Sequence, residues 1–224
     1  MKQEKVYQNI SATVDVVIFT IEDGELKVLL INRVGEPFKG SWALPGGFLL
    51  KGENTHQAAQ RLLADKAGVD DVYVEQLYTF DDLKRDPRGY VLSVAYFALV
   101  NKNKIKIKES ENTQKPSFYS VKNIPDLAFD HDKIINYALK RLRYKLEYTN
   151  AVFSLLEKKF TFSQLQSAYE VILNKKLDKR NFRKKFLALG LIKPIRGRLE
   201  GARQRPAQLY SFVSSKPIEL KRFF

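Results

Sequence analysis

The sequence predicts a mixed α/β protein, of the α+β or α/β class, in which a mixed β-sheet sandwiched by helices is followed by a smaller winged helix domain. Three observations support this. Strand-like segments come in pairs in the first half, a helical segment separates the pairs, and the last third holds two helical segments followed by two strand-like ones. A chain of 224 residues, 44% of them hydrophobic, can form one large domain or two small ones.

The first half contains four segments rich in β-branched and aliphatic residues, a composition typical of buried strands. These segments are residues 14–21, 26–32, 72–80 and 90–100. The first two flank Asp23-Gly24, a dipeptide that predicts a hairpin turn. Between the pairs, Gly46 and Gly47 permit a tight turn, and residues 54–68 form a helical segment that ends at Gly68. A mixed sheet with a helix packed on it follows from this order.

The last third has the pattern of a helix-turn-helix. Apolar residues recur at helical spacing behind Thr161 or Ser163, either of which can cap a first helix. Asp178 can cap a second helix and Gly190 can end it. Its apolar stripe, which we expect to pack inward, consists of Phe182, Phe186 and Leu189. A further amphipathic segment at residues 130–148 is expected to lie in the core or in a dimer interface.

The formal net charge of +14 is concentrated in the last third of the chain. Residues 1–148 contain 22 Lys plus Arg against 20 Asp plus Glu, whereas residues 149–224 contain 17 against 5. Most of the excess lies in residues 175–205. A solvated lysine-rich surface is the alternative interpretation, but such a surface ordinarily carries interspersed glutamates, which are nearly absent here. The distribution therefore favours a nucleic-acid partner for the last third.

Composition also excludes several classes of site. Because the chain contains no cysteine, disulfides, thiolate metal sites and cysteine nucleophiles are excluded. The N-terminal sequence MKQEKVYQNI lacks the apolar core of a signal peptide, and the longest aliphatic runs are strand-sized. We expect a soluble, cytoplasmic protein with no membrane partner. His56 and His131 stand apart in the sequence, so we expect capping or surface roles for them rather than metal binding.

The segment around the first predicted helix resembles the Nudix box. WALPGGF begins it, and Gly47, Glu53, Arg61 and Gly68 match the family spacing of glycine, x5, glutamate, x7, arginine and a closing glycine. The resemblance implies a Nudix-like fold for the first domain. In active Nudix hydrolases the helix of the box presents glutamates at i, i+3 and i+4, which hold a divalent metal against a pyrophosphate.

Those three glutamate positions hold Leu62, Asp65 and Lys66 in this chain, so one carboxylate remains and an ammonium replaces another. Glu53 and Asp65 offer few oxygens to an ion that needs several. We therefore expect a protein that is not an enzyme, with no catalytic residue, metal or cofactor. The motif is expected to persist as a scaffold whose cavity binds a ligand.

Further stretches extend the resemblance to nearly the whole chain. EPFKGSWALPGGF, EQLYTF, RDPRGYVLSVAYFALV and LAFDH resemble the Nudix-related transcriptional regulators of the NrtR family, over about residues 14–212. The resemblance implies an effector-sensing Nudix-like domain at residues 1–148 and a DNA-binding winged helix-turn-helix domain at residues 149–224. It also implies a homodimer on a two-fold symmetric operator of double-stranded DNA.

The resemblance further implies a regulator, usually a repressor, that responds to a small metabolite. In one branch of the family the effector is ADP-ribose and the controlled genes belong to NAD metabolism, whereas related regulators of sugar catabolism respond to sugars such as arabinose. ADP-ribose is our first hypothesis, because arginines suit pyrophosphate. The candidate effector-binding residues, at strand ends and loops around the expected cavity, are Arg33, Phe38, Trp42, Glu53, Arg85, Asp86 and Arg88.

Candidate DNA-binding residues lie on the second helix of the helix-turn-helix and on the wing. On the helix they are Lys179, Arg180, Asn181, Arg183, Lys184 and Lys185, of which Arg180, Arg183 and Lys184 are expected opposite the apolar stripe. On the wing they are Arg196, Arg198, Arg203 and Arg205, which fit either a narrow minor groove or nonspecific phosphate contacts.

Two other functions remain as alternatives from the sequence. One is a metal-dependent Nudix pyrophosphohydrolase with a basic nucleic-acid-binding module, which Glu53 and Asp65 alone support. The other is an adaptor that binds nucleic acid without sequence preference.

Overall fold

The computed structural model describes residues 8–69, 72–106, 113–196 and 207–220. The elements of the first part are β1 (Ser11–Glu22), β2 (Glu25–Arg33), β3 (Trp42–Ala43), β4 (Gly46–Phe48), α1 (Thr55–Ala67), β5 (Val74–Phe80), β6 (Val91–Leu99), β7 (Thr113–Ser120) and α2 (His131–Lys145). The elements of the second part are β8 (Phe160–Thr161), α3 (Phe162–Leu173), α4 (Lys179–Ala188), β9 (Ile192–Ile195) and β10 (Leu209–Phe212). Short 3-10 turns occupy Lys102–Lys104 and Ala151–Ser154.

The strands of the first part form one mixed sheet. Its main path runs β3-β2-β1-β6-β5, with β4 paired to β1 and β7 paired to β2. β1 and β6 are parallel, and the other pairs are antiparallel. The predicted hairpin is present between β1 and β2, where Asp23 and Gly24 both adopt positive φ. Positive φ at both central residues is the geometry that Asp-Gly favours in a two-residue hairpin.

Alternate residues of β1 face the two sides of the sheet, as the period of a strand requires. Val14, Val16 and Ile18 pack in one buried cluster with the apolar face of α1. Val17 and Phe19 pack in another with the apolar face of α2. The mixed sheet sandwiched by helices is therefore confirmed.

The helix α1 has the boundaries that its sequence predicts. Asn54 caps its start, since the Asn54 side chain accepts from the Gln57 backbone N–H while the Gln57 side chain accepts from the Asn54 N–H. Gly68 ends it with φ of +61°. A Cβ on Gly68 would collide with the carbonyl of Lys106, so both conformation and space require glycine here.

The second part is a winged helix built on α3, α4 and a three-stranded sheet in the order β8-β10-β9. Thr161, not Ser163, caps α3, and Asp178 caps α4 through its bond to the Asn181 N–H at 2.8 Å. Phe182 and Phe186 are buried as predicted, whereas Leu189 is only half-buried because it follows the last turn of α4.

The two parts share one apolar core. The cluster that contains Phe19 of β1 and Ile134 of α2 continues without a break to Tyr169 of α3 and Phe186 of α4. At the junction, the Arg143 guanidinium of α2 donates to the Ile172 carbonyl at 3.0 Å. The amphipathic segment at residues 130–148 is thus core in this chain. Within the described residues, no helix has the length and hydropathy needed to span a bilayer.

Because the core is continuous, we expect the two parts to unfold together. Phe186→Ala removes a fully buried ring and should lower the free energy of unfolding by about 3–5 kcal/mol. Trp42, the single tryptophan, lies in β3 of the first part, so its fluorescence in a urea titration reports unfolding far from the substitution. The Trp42 transition should shift to lower urea. A matched control is Leu187→Ala, which changes an exposed neighbour on the same helix. An unshifted Trp42 transition in Phe186→Ala would mean that the winged helix unfolds alone.

Candidate functional site

A cavity of about 400 Å³ lies where β1, β2, α1 and the segment before α2 converge. Its lining residues include Thr13, Asp15, Ile31, Arg33, Gly46, Gly47, Phe48, Lys66, Arg85, Asp86, Arg88, Phe129 and His131. A larger cavity of about 730 Å³ lies at the junction of the two parts and contains none of the predicted effector-binding residues. We regard the smaller cavity as the site, because it gathers charged groups on rigid strand and helix ends.

A buried ion-pair network forms the floor of the smaller cavity. Arg85 donates to both carboxylate oxygens of Asp130, at 2.8 Å and 3.2 Å, and its guanidinium lies 3.5 Å from Asp15. Ser93 donates to Asp15 at 2.6 Å. A Cβ on Gly46 would collide with the Asp15 carboxylate, so glycine is required beside it. The network joins β1, β6, the loop after β5 and the start of α2.

His131 belongs to the same network, which corrects the expectation of a capping or surface role. Its Nδ1 accepts the backbone N–H of Leu44 at 2.9 Å, and its Nε2 lies 3.6 Å from the Asp15 carboxylate. Burial lowers the pKa of His131, so the imidazole is neutral at physiological pH. Because Nδ1 accepts a hydrogen bond, the proton is on Nε2, where it faces Asp15. His56 lies exposed on α1.

Two guanidinium groups flank the ring of Phe129 at the mouth of the cavity. The Arg33 Cζ lies 4.8 Å from the Phe129 centroid, and the Arg88 Cζ lies 5.6 Å from it and 5.0 Å from the Phe48 centroid. Asp86 pairs with Arg88 through bonds of 2.6 Å and 2.9 Å. Arg33 instead donates to the carbonyls of Pro37 and Gly35.

The charge of Arg33 is therefore not neutralised by a direct ion pair, since no carboxylate among the described residues forms one with it. Burial and then the nearby charge of Arg88 lower the pKa of Arg33, although a guanidinium stays protonated. A half-buried cation held by backbone carbonyls is a favourable partner for an anionic ligand.

The structure brings four of the predicted effector-binding residues to the cavity: Arg33, Arg85, Asp86 and Arg88. The other three lie outside its lining. Phe38 packs edge-on against Phe129, with centroids 4.8 Å apart, and Trp42 packs against Tyr119 in the same way at 5.0 Å. Glu53 accepts two bonds from Arg61 and one from the Leu50 N–H, so its carboxylate is occupied within the loop before α1.

Sequence reasoning missed Asp15, Phe129 and His131 as residues of the site. Asp15 could have been predicted from the sequence, because a carboxylate inside an apolar strand needs a buried partner. Phe129 adopts a positive φ of 57°, which places its ring beside the arginines and which its residue type does not indicate.

The Nudix resemblance implies a divalent metal, and the residues present do not fit one. Leu62 is 2% exposed and packs in the core between α1 and the sheet. Glu53 is bound by Arg61, at 2.6 Å and 3.0 Å, and Asp65 is exposed. Lys66 lines the cavity where the family places a metal ligand. Among the residues that the structure describes, no three carboxylate or imidazole groups cluster as a metal site requires.

The helix α4 presents the predicted basic surface of the winged helix. Lys179, Arg180, Asn181, Lys184 and Lys185 are all exposed on it. Arg183 is exposed as well, but its guanidinium donates to the Tyr210 hydroxyl at 2.9 Å and lies 4.9 Å from the Phe162 centroid. In this conformation Arg183 ties α4 to β10. Of the wing arginines, Arg196 is exposed at the end of β9, and Arg198, Arg203 and Arg205 lie outside the described residues.

Glu170 fixes the turn that joins α3 to α4. Its carboxylate accepts from the Leu177 N–H at 3.0 Å, from Gln166 at 2.9 Å and from Lys176 at 3.0 Å. These bonds, the Leu177 N–H first among them, lower the pKa of Glu170 to about 2. Asn174 turns the chain with φ of 52°. One carboxylate thereby fixes the turn that leads into α4.

The structure predicts losses of stability of different size for two arginines of one cavity. Arg85→Gln leaves Asp130 and Asp15 buried without their cation, and should lower the free energy of unfolding by about 3–5 kcal/mol. Arg33→Gln loses hydrogen bonds to carbonyls and the contact with the Phe129 ring, and should cost about 1–2 kcal/mol. Urea denaturation of both variants measures the difference. Equal losses would contradict the assignment of Arg85 to structure and of Arg33 to the ligand.

Comparison with known proteins gives matches over both parts of the chain. The NUDIX domain family matches residues 11–138, and the family described as the NrtR DNA-binding winged helix domain matches residues 152–212. The "ADPR responsive transcriptional repressor NtrR" of Acinetobacter baylyi is 39% identical, over 94% of this chain and 85% of that protein.

Solved structures agree with these matches. The crystal structure of Shewanella oneidensis NrtR complexed with a 27mer DNA is similar with a TM-score of 0.83 and 34% identity, over 95% of this chain and 99% of that one. The NUDIX domain of the same Shewanella protein, complexed with ADP ribose, is similar with a TM-score of 0.56 and 37% identity, over 61% of this chain and 90% of that one. The chain therefore belongs to the NrtR family, with a NUDIX domain followed by an NrtR DNA-binding winged helix domain.

Proposed function

We propose that the chain is a DNA-binding transcriptional repressor that releases its operator when ADP-ribose occupies the cavity of the NUDIX domain, and that it controls genes of NAD metabolism. The observation that carries this proposal is a cavity lined by basic side chains, next to a Nudix motif that lacks its metal-binding carboxylates. Residues 1–148 are proposed to sense the effector and residues 149–224 to bind DNA. The relatives named above, one ADPR responsive and one complexed with ADP ribose, support the choice of effector.

The charges of the cavity favour a diphosphate over a neutral sugar. Its lining contains four basic side chains, Arg33, Lys66, Arg85 and Arg88, against the carboxylates Asp15 and Asp86. His131 adds no charge because burial keeps it neutral. The diphosphate diester of ADP-ribose is a dianion that complements the positive excess, whereas arabinose offers no charge to the Arg33 guanidinium.

The same residues argue against hydrolysis. Leu62 is buried in the core and the Glu53 carboxylate is held by Arg61, so neither offers an oxygen to a metal at the cavity. We propose that the domain binds its ligand without cleaving it. The alternative of a metal-dependent pyrophosphohydrolase has no matching donor set among the described residues.

The DNA-binding surface is proposed to be α4 with the adjoining wing. Four side chains near its start and middle, Lys179, Arg180, Asn181 and Lys184, are exposed together. Asn181 can read a base edge, while the lysines suit phosphates. A homodimer would present two such helices to a two-fold symmetric operator, and we propose that assembly.

The helix α2 is proposed to couple the cavity to the DNA-binding surface. Its first turn carries Asp130 and His131, both bonded into the network at the cavity floor. Its last turn carries Arg143, which donates to the final turn of α3 at the Ile172 carbonyl. A ligand that shifts the network therefore moves an element in direct contact with the helix-turn-helix. Regulation requires that the ligand prefer one of the two arrangements.

The test of the function is binding to the DNA upstream of the chain's own gene, against a random duplex, at physiological salt. We expect selective binding that ADP-ribose releases and arabinose does not. Arg180→Ala should weaken operator binding by about 1–3 kcal/mol if the guanidinium contacts a base. Lys122→Ala removes an exposed charge from the NUDIX domain and should leave DNA affinity unchanged. Equal affinity for operator and random DNA would instead support a nonspecific adaptor.

The coupling role of α2 is tested separately by Arg143→Met. Both DNA affinity without effector and ADP-ribose affinity without DNA should stay close to wild type, because Arg143 contacts neither ligand. The factor by which ADP-ribose lowers DNA affinity, typically equivalent to about 1–3 kcal/mol in allosteric proteins, should shrink. The matched control is Lys140→Met, an exposed position on the same helix. An unchanged factor in Arg143→Met would exclude this contact from the coupling.

A further inference from the structure

The Nudix position held by Lys66 has an unexpected environment. Lys66 is the second residue from the end of α1, at the place where the family carries a metal-binding glutamate, and its side chain lines the cavity with Arg33 and Arg88. It is half-buried and shares the cavity lining with Gly46 and Gly47. A lysine on a helix surface is ordinarily solvated, so this placement requires a physical reason.

Burial is unfavourable for this ammonium, and an anion in the cavity would offset the loss. Burial lowers the pKa of Lys66, and the charge of Arg61 lowers it further, while Asp65 partly compensates. A diphosphate in the cavity would give the ammonium a charge-assisted contact.

Other positions of the motif also lack the carboxylates that a metal would need. A metal would need carboxylate oxygens on the cavity face of α1, but Leu62 packs against the sheet and Asp65 points into solvent. There is space between Gly47 and α1, since a Cβ on Gly47 would make only an ordinary contact with Leu62 at 3.6 Å. The Gly46-Gly47 turn thus lines the cavity, whereas the expected metal ligands do not.

We propose that the Lys66 ammonium takes the place of the divalent cation, so that the cavity binds a diphosphate with Lys66, Arg33 and Arg88 and without any metal. A fixed ammonium neutralises phosphate oxygens but activates no water as a bound metal does. A lysine at this glutamate position would then bind the diphosphate without supporting its hydrolysis. This inference rests on the proposed function only in taking a diphosphate as the ligand.

The test is calorimetric titration of the full-length protein with ADP-ribose in EDTA and in Mg²⁺, and with inorganic pyrophosphate in EDTA. Wild type should bind ADP-ribose with the same affinity in both buffers and should bind pyrophosphate without metal. Lys66→Met should weaken both ligands about tenfold or more, the loss expected for one charged hydrogen bond. Lys66→Arg should restore most of the affinity. Lys51→Met, which removes an exposed charge from the same motif outside the cavity, should bind like wild type.

Two results would overturn the inference: ADP-ribose affinity in wild type that falls about tenfold in EDTA, or Lys66→Met that binds like wild type. The wild-type titration does not depend on how well any variant folds. If pyrophosphate binds through Lys66 but ADP-ribose does not bind, the inference holds and the proposed effector is wrong. If ADP-ribose binds and regulates DNA affinity regardless of Lys66, the proposed function holds and the inference fails.

Discussion

The ion pair between Arg85 and Asp130 is the interaction on which the rest of the structure depends. It joins the loop after β5 to the first turn of α2, and Asp15 and His131 extend it to β1 and to the turn before β4. Four charged or polar side chains are thus satisfied inside one apolar fold, where a lone buried charge would be strongly unfavourable. The network forms the floor of the cavity and includes residues at the start of α2, the helix that contacts α3. The cavity and the DNA-binding part are therefore both connected to this network.

The basic residues of the cavity have two different roles. Arg85 is bonded to Asp130 and Asp15, so its charge stabilises the fold, whereas Arg88 pairs with Asp86 and also lines the cavity. Arg33 donates to backbone carbonyls, lies against the Phe129 ring and lines the same cavity as Lys66. An enzyme of this fold would place a metal between protein carboxylates and substrate phosphates. In the binding mode proposed above, positive side chains would contact the phosphates directly, which favours recognition over cleavage.

Sequence patterns predicted the fold well because the elements are long and locally consistent. The Asp23-Gly24 turn, the caps Thr161 and Asp178, and the end of α1 at Gly68 each follow from a local rule. The site was predicted only in part. Arg33, Arg85, Asp86 and Arg88 reach the cavity, but Trp42 and Glu53 are bound elsewhere, and Asp15, Phe129 and His131 enter it through contacts between segments far apart in sequence. Contacts between distant segments produce no periodic pattern in the sequence. The same is true of the hydrogen bond from Arg183 to Tyr210.

The central claim is that one protein couples a diphosphate in the NUDIX cavity to DNA on the winged helix. Thermodynamic reciprocity gives the most direct measurement: the dissociation constant of ADP-ribose for the free protein and for the protein saturated with operator DNA. The coupling predicts weaker binding to the DNA complex, by the same factor by which ADP-ribose weakens DNA binding. Equal ADP-ribose affinity in the two states would contradict it, because a ligand that does not distinguish the states cannot shift them.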